Sequence, residues 1–255
     1  MNIAIWFIAA VAAYLVSGVN PAILLSRAIY KQDIRTVGSK NPGFTNFKRV
    51  YGWKFAWLVL FIDVTKAVLP CLGFAIAFRE IGVLDTAQYQ TGSAFTGSNF
   101  QLGAAFTGLF AMLGHAYPVW YRFKGGKAFL VAASAIWFID WRVALIASGV
   151  FLLLLFTVQI MSVSSLTAAL SCPVSLALFG FAHPVVMVCC VLSVILLFWR
   201  HKPNLVRLAH GKEPRFKLFG KNKVAKDGPT EKPSDAQAAP PPENAPDEQA
   251  VVSRH

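Results

Sequence analysis

Seven stretches of this 255-residue chain are apolar over lengths that reach or approach a bilayer crossing, and the connections between them are mostly basic or nearly uncharged. A crossing helix needs about 20 mostly apolar residues. The first stretch covers 3–29 and is broken by Ser17, Asn20 and Pro21. The others cover 55–78, 100–121, 128–139, 143–161, 166–181 and 184–199. The 128–139 stretch is short for a full crossing, so it tilts, borrows from its neighbours or spans incompletely. Hydrophobic residues make up 56% of the chain and charged residues only 14%. Soluble domains carry about a quarter charged residues. That balance excludes whole-chain disorder and an ordinary soluble enzyme. The sequence therefore predicts an all-α polytopic membrane protein of about seven transmembrane helices.

Charge sets the expected direction. The net charge is +12, and the segments 31–54, 122–127 and 200–223 hold 17 of the 24 Lys and Arg residues. The intervening connections carry Arg79, Glu80 and Asp85, then Asp140 and Arg142, then His183. By the positive-inside rule the basic connections face the cytosol, which places the amino terminus outside. The chain is thus expected to be a multi-pass membrane protein with its basic connections on the cytosolic face. No Lys or Arg precedes Arg27, so the positive region of a signal peptide is missing and a cleaved signal is not expected. Residues 217–255 are a different kind of chain. No aromatic residue occurs after Gly220, and six prolines fall within 226–255. They read as a disordered cytosolic tail following a membrane domain over 1–216. Cys71, Cys172, Cys189 and Cys190 lie in apolar stretches without a C-x-x-C pair, so neither a metal site nor a disulfide framework is expected.

An apolar chain with excess basic charge expects anionic partners, either lipid headgroups or phosphate substrates. Nucleic acid wants basic charge but has no use for this much apolar length. Three polar segments carry the chemistry. The first, from Asp33 to Gly52, gathers Gly38, Ser39, Asn41, Gly43, Thr45 and Asn46 ahead of Arg49. Glycine lets backbone approach a ligand, short polar side chains bond it, and Arg holds a phosphate bidentately. The same residues also suit a turn before a capped helix. The second segment contains Lys124, Gly125, Gly126 and Lys127 between two apolar runs. Two glycines that expose N–H groups ahead of a helix make an anion site. The Walker A spacing is absent, and a flexible basic loop fits equally well. In the third, His201, Asn204 and Arg207 share roughly one helical face, with Pro203 suited to a first helical turn. A basic helix lying on anionic lipid is the alternative there, with Arg207 and Lys212 at the headgroups.

Taken together and in this order, GSKNPGFTNFKR, GHAYPVWYRFKGGK and RHKPNLVRLAHGKEP resemble the three cytosolic motifs of bacterial acyl-phosphate:glycerol-3-phosphate acyltransferases, the PlsY family. SVSSLTAAL, from Ser162 to Leu170, is similar to that family's serine turn between spans. The likeness covers about 1–216. It implies acyl transfer from a fatty acyl phosphate to the 1-hydroxyl of glycerol 3-phosphate, giving lysophosphatidic acid and inorganic phosphate, with no cofactor. Membrane lipids are the implied surroundings, and the enzyme that makes the acyl phosphate is a further candidate partner. Ser39, Arg49, Lys127, His201 and Asn204 match the catalytic positions. Asn41, Asn46, Lys124, Gly125, Gly126 and Ser165 are assigned to substrate binding, and Glu213 to a structural pairing with a basic neighbour. The chain departs from the family pattern at Lys40 and Ala128, where Gly is usual, at Phe44, where Ala is usual, and at Phe129, where Val is usual.

An acyl phosphate is already activated, so the reaction needs no covalent enzyme intermediate. Two phosphate-bearing substrates repel each other, and Arg49 and Lys127 supply the cations to hold both. The attacking hydroxyl gives its proton to the departing phosphate or to His201. An acyl-enzyme on Ser39 ranks last, with no base identifiable beside it. Asp63 and Lys66, three positions apart inside the second span, are expected to pair structurally across one helix face. The rival class is a small transporter of a phosphorylated metabolite. Transporters place substrate near the midplane on broken helices, whereas these polar motifs gather at one edge.

Overall fold

A computed structural model describes residues 3–83, 98–179 and 183–216. The connection through Asp85, the end of the sixth predicted span and the tail from 217 onward lie outside the described residues. Every regular element among the described residues is helical. Ten α-helices follow in order: α1 (Ile3–Gly18), α2 (Pro21–Tyr30), α3 (Phe44–Tyr51), α4 (Ala56–Ile81), α5 (Ser98–Ala116), α6 (Phe129–Ile139), α7 (Trp141–Thr157), α8 (Met161–Phe179), α9 (Pro184–Arg200) and α10 (Lys202–Ala209). Short 3₁₀ turns lie at Ile34–Thr36 and Val119–Tyr121.

Local chemistry sets the boundaries. The predicted break in the first stretch separates α1 from α2. Asn20 caps α2 by accepting from the Ile23 N–H at 3.0 Å, and Pro21 occupies the first turn, where its missing N–H costs nothing. Asp140 caps α7 through the N–H groups of Arg142 and Val143. His183 caps α9 through the Val185 N–H, with Pro184 following. Pro70 and Pro173 sit inside α4 and α8, as membrane helices tolerate.

Among the described residues, four segments are long and apolar enough to cross a bilayer: Ile3–Tyr30, Ala56–Ile81, Asn99–Tyr121 and Met161–Phe179. A fifth arises if α9 and α10, bent by 57° at His201, count as one. α6 and α7 are shorter, with 11 and 17 residues. At 1.5 Å per residue α6 is only about 16 Å long. The sequence expectation of seven crossings thus meets four or five segments of full length and two short apolar helices.

α5 packs against α1, α4, α6 and α9. Gly114 allows the closest of these approaches, because a Cβ there would lie 2.1 Å from the Tyr14 carbonyl oxygen. One core gathers Trp6, Phe78 and Phe106, whose rings meet edge to face at 4.9 and 4.7 Å from Trp6. A second core joins Met112, Val131, Leu166 and Leu197. A third, built on Ile23, Ile34, Phe47 and Val59, seats the first polar segment on α2 and α4.

One boundary differs from expectation. Ser162–Ser165 is not a turn between spans but the first turn of α8. The chain reverses just before it, at Gln159, whose φ is +60°. All three serines there are buried, with Ser164 donating to the Ile160 carbonyl. Their polarity suggested a loop, but they serve the inner face of a helix end.

Candidate active site

The three polar segments and the start of α8 surround one cavity of about 730 Å³. Ser39, Asn41, Asn46 and Arg49 line it from the first segment, and Lys127 from the second. Ser162 and Ser165 come from α8, and His201, Asn204, Arg207 and Glu213 from the third segment. Asp63 and His115 also reach it.

The first segment is held from within. Asn46 is buried, its side-chain oxygen accepts from the Ser39 N–H at 2.8 Å, and its amide donates to the carbonyls of Ile34 and Val37. Asn46 thus shapes the loop while also lining the cavity. Asn20 adds a bond to the Pro42 carbonyl. Asp33 ties Arg27 and Arg35 together, and Arg35 reaches across to the carbonyls of Tyr121 and Lys124. Ser39 Oγ has no hydrogen-bond partner among the described residues.

The glycine loop also departs from expectation. Gly125 and Gly126 do not present free N–H groups. They donate to the carbonyls of Ala116 and His115. Arg200 grips the same loop from α9, bonding the carbonyls of Gly126 at 2.9 Å and Gly125 at 2.8 Å. Glycine is needed because the loop lies against α5, where a Cβ on Gly125 would meet the His115 carbonyl oxygen and one on Gly126 the His115 ring. The loop's function is to aim Lys127. Lys124, expected to contact substrate, is exposed and lies outside the cavity lining.

Arg49 and Lys127 are the notable cations. Both are half-buried and line the cavity, and neither forms an ion pair or hydrogen bond among the described residues. Burial pushes Lys127 down to about 8, helped by Arg207, Arg49 and Arg200 and opposed by Glu213. Burial also lowers Arg49 from the usual guanidinium value. Two desolvated cations that form no direct ion pair among the described residues make an anion site.

The third segment supplies polar groups. Nδ1 of His201 lies 2.8 Å from the Leu197 carbonyl, which can only accept, so Nδ1 carries the proton. Nε2 is then an acceptor, 3.5 Å from Ser165 Oγ. Burial, followed by the charge of Lys127, lowers His201 to about 4 and keeps it neutral near pH 7. Glu213 accepts from Ser162 Oγ and Asn204 Nδ2 and, on its other oxygen, from Arg207 Nε at 2.8 Å. Burial would raise its carboxyl, but these bonds outweigh it and hold the group below the usual value. Asn204 Oδ1 is left buried and open as an acceptor. Asp63 and Lys66 pair at 2.8 Å inside α4, with Lys66 also donating to the Val19 carbonyl. Two of the family departures share one backbone feature. Lys40 and Ala128, both replacing Gly, have φ of +59° and +62°.

Sequence reasoning passed over three participants. Ser162 was hidden in a presumed turn, Arg200 was counted only as basic charge, and His115 lay inside an apolar span. A polar residue within such a span was the available signal for His115.

The model of the glycerol-3-phosphate acyltransferase family matches residues 7–211. A glycerol-3-phosphate acyltransferase from Pasteurella multocida is 37% identical over 218 residues, covering 84% of this chain and 94% of its own. One from Prochlorococcus marinus is 34% identical over 206 residues, with 80% and 90% covered. The fold matches a crystal structure of PlsY (YgiH), an integral membrane glycerol 3-phosphate acyltransferase, in its glycerol 3-phosphate form. The TM-score is 0.70 at 30% identity, over 83% of this chain and 96% of that one. The lysophosphatidic acid form of PlsY matches with a TM-score of 0.66 at 29% identity, over 86% and 97%. With the family match running through all three polar segments, the chain belongs to the glycerol-3-phosphate acyltransferase family.

Proposed function

We propose that the chain transfers a fatty acyl group from an acyl phosphate to the 1-hydroxyl of glycerol 3-phosphate at this cavity. The observation that carries the reading is the pair of cations not engaged in a direct ion pair, Arg49 and Lys127, beside neutral acceptors on His201 and Asn204. Cations suit the phosphate groups of both substrates, and neutral acceptors suit glycerol hydroxyls. Glu213 fixes the acceptors, since it joins α8 to α10 through Ser162, Asn204 and Arg207.

In the step itself, the glycerol hydroxyl oxygen attacks the acyl carbonyl carbon. The carbon–oxygen bond to phosphate breaks, and phosphate leaves with the bonding pair. The hydroxyl proton ends on that phosphate. Arg49 and Lys127 steady the negative charge gathered on the phosphate oxygens. His201 orients the hydroxyl through Nε2, its Nδ1 proton being committed to Leu197. A group held at about 4 is a weak proton acceptor, which favours orientation over base catalysis. Ser39, with no base bonded to its hydroxyl, contributes polarity at the rim.

The reading places the protein in the bacterial cytoplasmic membrane with seven passages, the amino terminus outside and the cavity at the cytosolic edge. The supporting observation is that 31–54, 122–127 and the stretch after Arg200, the basic connections, all contribute to one cavity. Purified protein given acyl phosphate and glycerol 3-phosphate, with acyl-CoA in parallel, tests the function. Lysophosphatidic acid and phosphate should form from the acyl phosphate alone. Vesicle uptake of a phosphorylated metabolite without acyl transfer would instead establish a transporter.

A further inference from the structure

A second cavity, of about 300 Å³ and almost wholly apolar, lies within the bundle formed by α5 to α9. Its walls include Leu109, Met112, Ile136, Ile139, Cys190 and Leu197. It follows α6 from Phe129 to Ile139, ten residue steps or about 15 Å. Phe129, Leu130 and Phe151 line both this cavity and the polar one. The rings of Phe129 and Phe151 touch across that boundary, with centroids 5.0 Å apart and planes tilted by 34°. Phe129 follows Lys127 by two residues, and Leu197, whose carbonyl holds His201, lines the apolar side.

We propose that the Phe129–Phe151 pair selects the shape of the acyl donor, admitting unbranched chains into the apolar cavity and rejecting chains branched near the carbonyl. The proposal rests on the acyl-phosphate reading above. With the phosphate at Lys127, the carbonyl carbon and first methylenes fall at the two rings. Flat rings in contact part to make a slot, which a linear chain fills and a methyl branch obstructs. Nothing beyond the rings discriminates so closely, because the remaining walls are small or flexible aliphatic side chains that can adapt to a chain. One methylene in an apolar pocket is worth at least about tenfold in discrimination. Shaving a ring should shift the preference by the same order.

The test compares palmitoyl phosphate with β-methyl-branched palmitoyl phosphate as donors to the full-length protein, its Phe129→Val variant and its Phe151→Leu variant. The expected result is a rise of about tenfold in the branched-to-straight ratio of kcat/KM in both variants. KM for glycerol 3-phosphate is read alongside, to separate donor shape from general damage. A ratio within about twofold of the unaltered protein in either active variant overturns the proposal, as does an unaltered protein that uses both donors equally. An unaltered protein that transfers neither chain removes the acyl-phosphate reading first. If one variant is inactive on both donors, the other decides. If both are, competition by the non-reactive alkyl phosphonates of the two chains against radiolabelled palmitoyl phosphonate reads the same ratio as binding, and an unchanged ratio overturns the proposal.

Discussion

Replacing Lys127 by Met and by Arg, each measured from pH 7 to pH 9, isolates the charge on which the active site depends. Lys127 carries a pKa of about 8 in the free protein because it is buried among cations. Its ammonium is then about nine-tenths formed at pH 7 and about one-tenth formed at pH 9. If only the charged form receives phosphate, kcat/KM of the unaltered protein falls about tenfold across that interval. Losing a charge-assisted hydrogen bond costs about 1.5–3 kcal/mol, so Lys127→Met at pH 7 loses on the order of tenfold to a hundredfold. The sign is fixed by the direction of the shift. Raising the pH removes a charge that the Met variant never had, so the gap between the two proteins narrows about tenfold by pH 9. Lys127→Arg keeps its charge and should show no alkaline limb at all. Initial rates with both substrates held well below saturation provide the assay, so that the ionisation read is that of the free protein. A loss in Lys127→Met that is equal at pH 7 and pH 9, or a limb that survives in Lys127→Arg, refutes the argument that this charge binds phosphate.

His201→Gln should raise KM for glycerol 3-phosphate and leave the shape of the pH profile unchanged, since His201 at about 4 does not titrate in the working range; a variant that binds glycerol 3-phosphate normally yet transfers nothing would make His201 the base. Asn46→Ala strands the Ser39 N–H and removes the Asn46 donor from the Ile34 and Val37 carbonyls, the latter keeping the Lys40 N–H, at a cost of about 1–3 kcal/mol. Limited proteolysis should then cut within residues 34–43, and unchanged resistance there would contradict the scaffold role. Asp63→Asn leaves the Lys66 ammonium buried without its partner, at a cost of about 3–5 kcal/mol, whereas Asp63→Asn with Lys66→Met recovers most of it. Thermal unfolding in detergent measures both, and a double variant no more stable than the single one defeats the pairing argument. Ala128→Gly relieves a left-handed backbone of about 1 kcal/mol and should raise Tm, partly offset by the freedom Gly gains when unfolded; a lower Tm would show no strain at that site.

The helices were legible because a long apolar run has few other solutions in a bilayer, and Asn20-Pro21 and His183-Pro184 punctuate it chemically. The convergence of Arg49, Lys127, His201 and Asn204 could be anticipated from charge and spacing. What was hidden is where each hydrogen bond goes. Gly125 and Gly126 look like phosphate donors in any linear reading, because the carbonyls of His115 and Ala116 that occupy them lie on the preceding helix. Asn46 looks like a ligand until its three bonds into its own loop are seen. The serines from 162 to 165 look like a turn because polarity does not reveal whether a helix end is buried. Each of these errors concerns pairing in space, and residue type leaves pairing open.

α6 has a consequence for the lipid around it. Lys127 precedes this helix and Asp140 follows it, and the helix between them is only about 16 Å long against a hydrocarbon layer about 30 Å deep. They cannot both reach headgroups on opposite sides. Either the bilayer thins beside α6 and α7, or water follows one of these charges inward. In both cases the hydrocarbon layer is thinner or wetter beside this short helix than around the full-length ones.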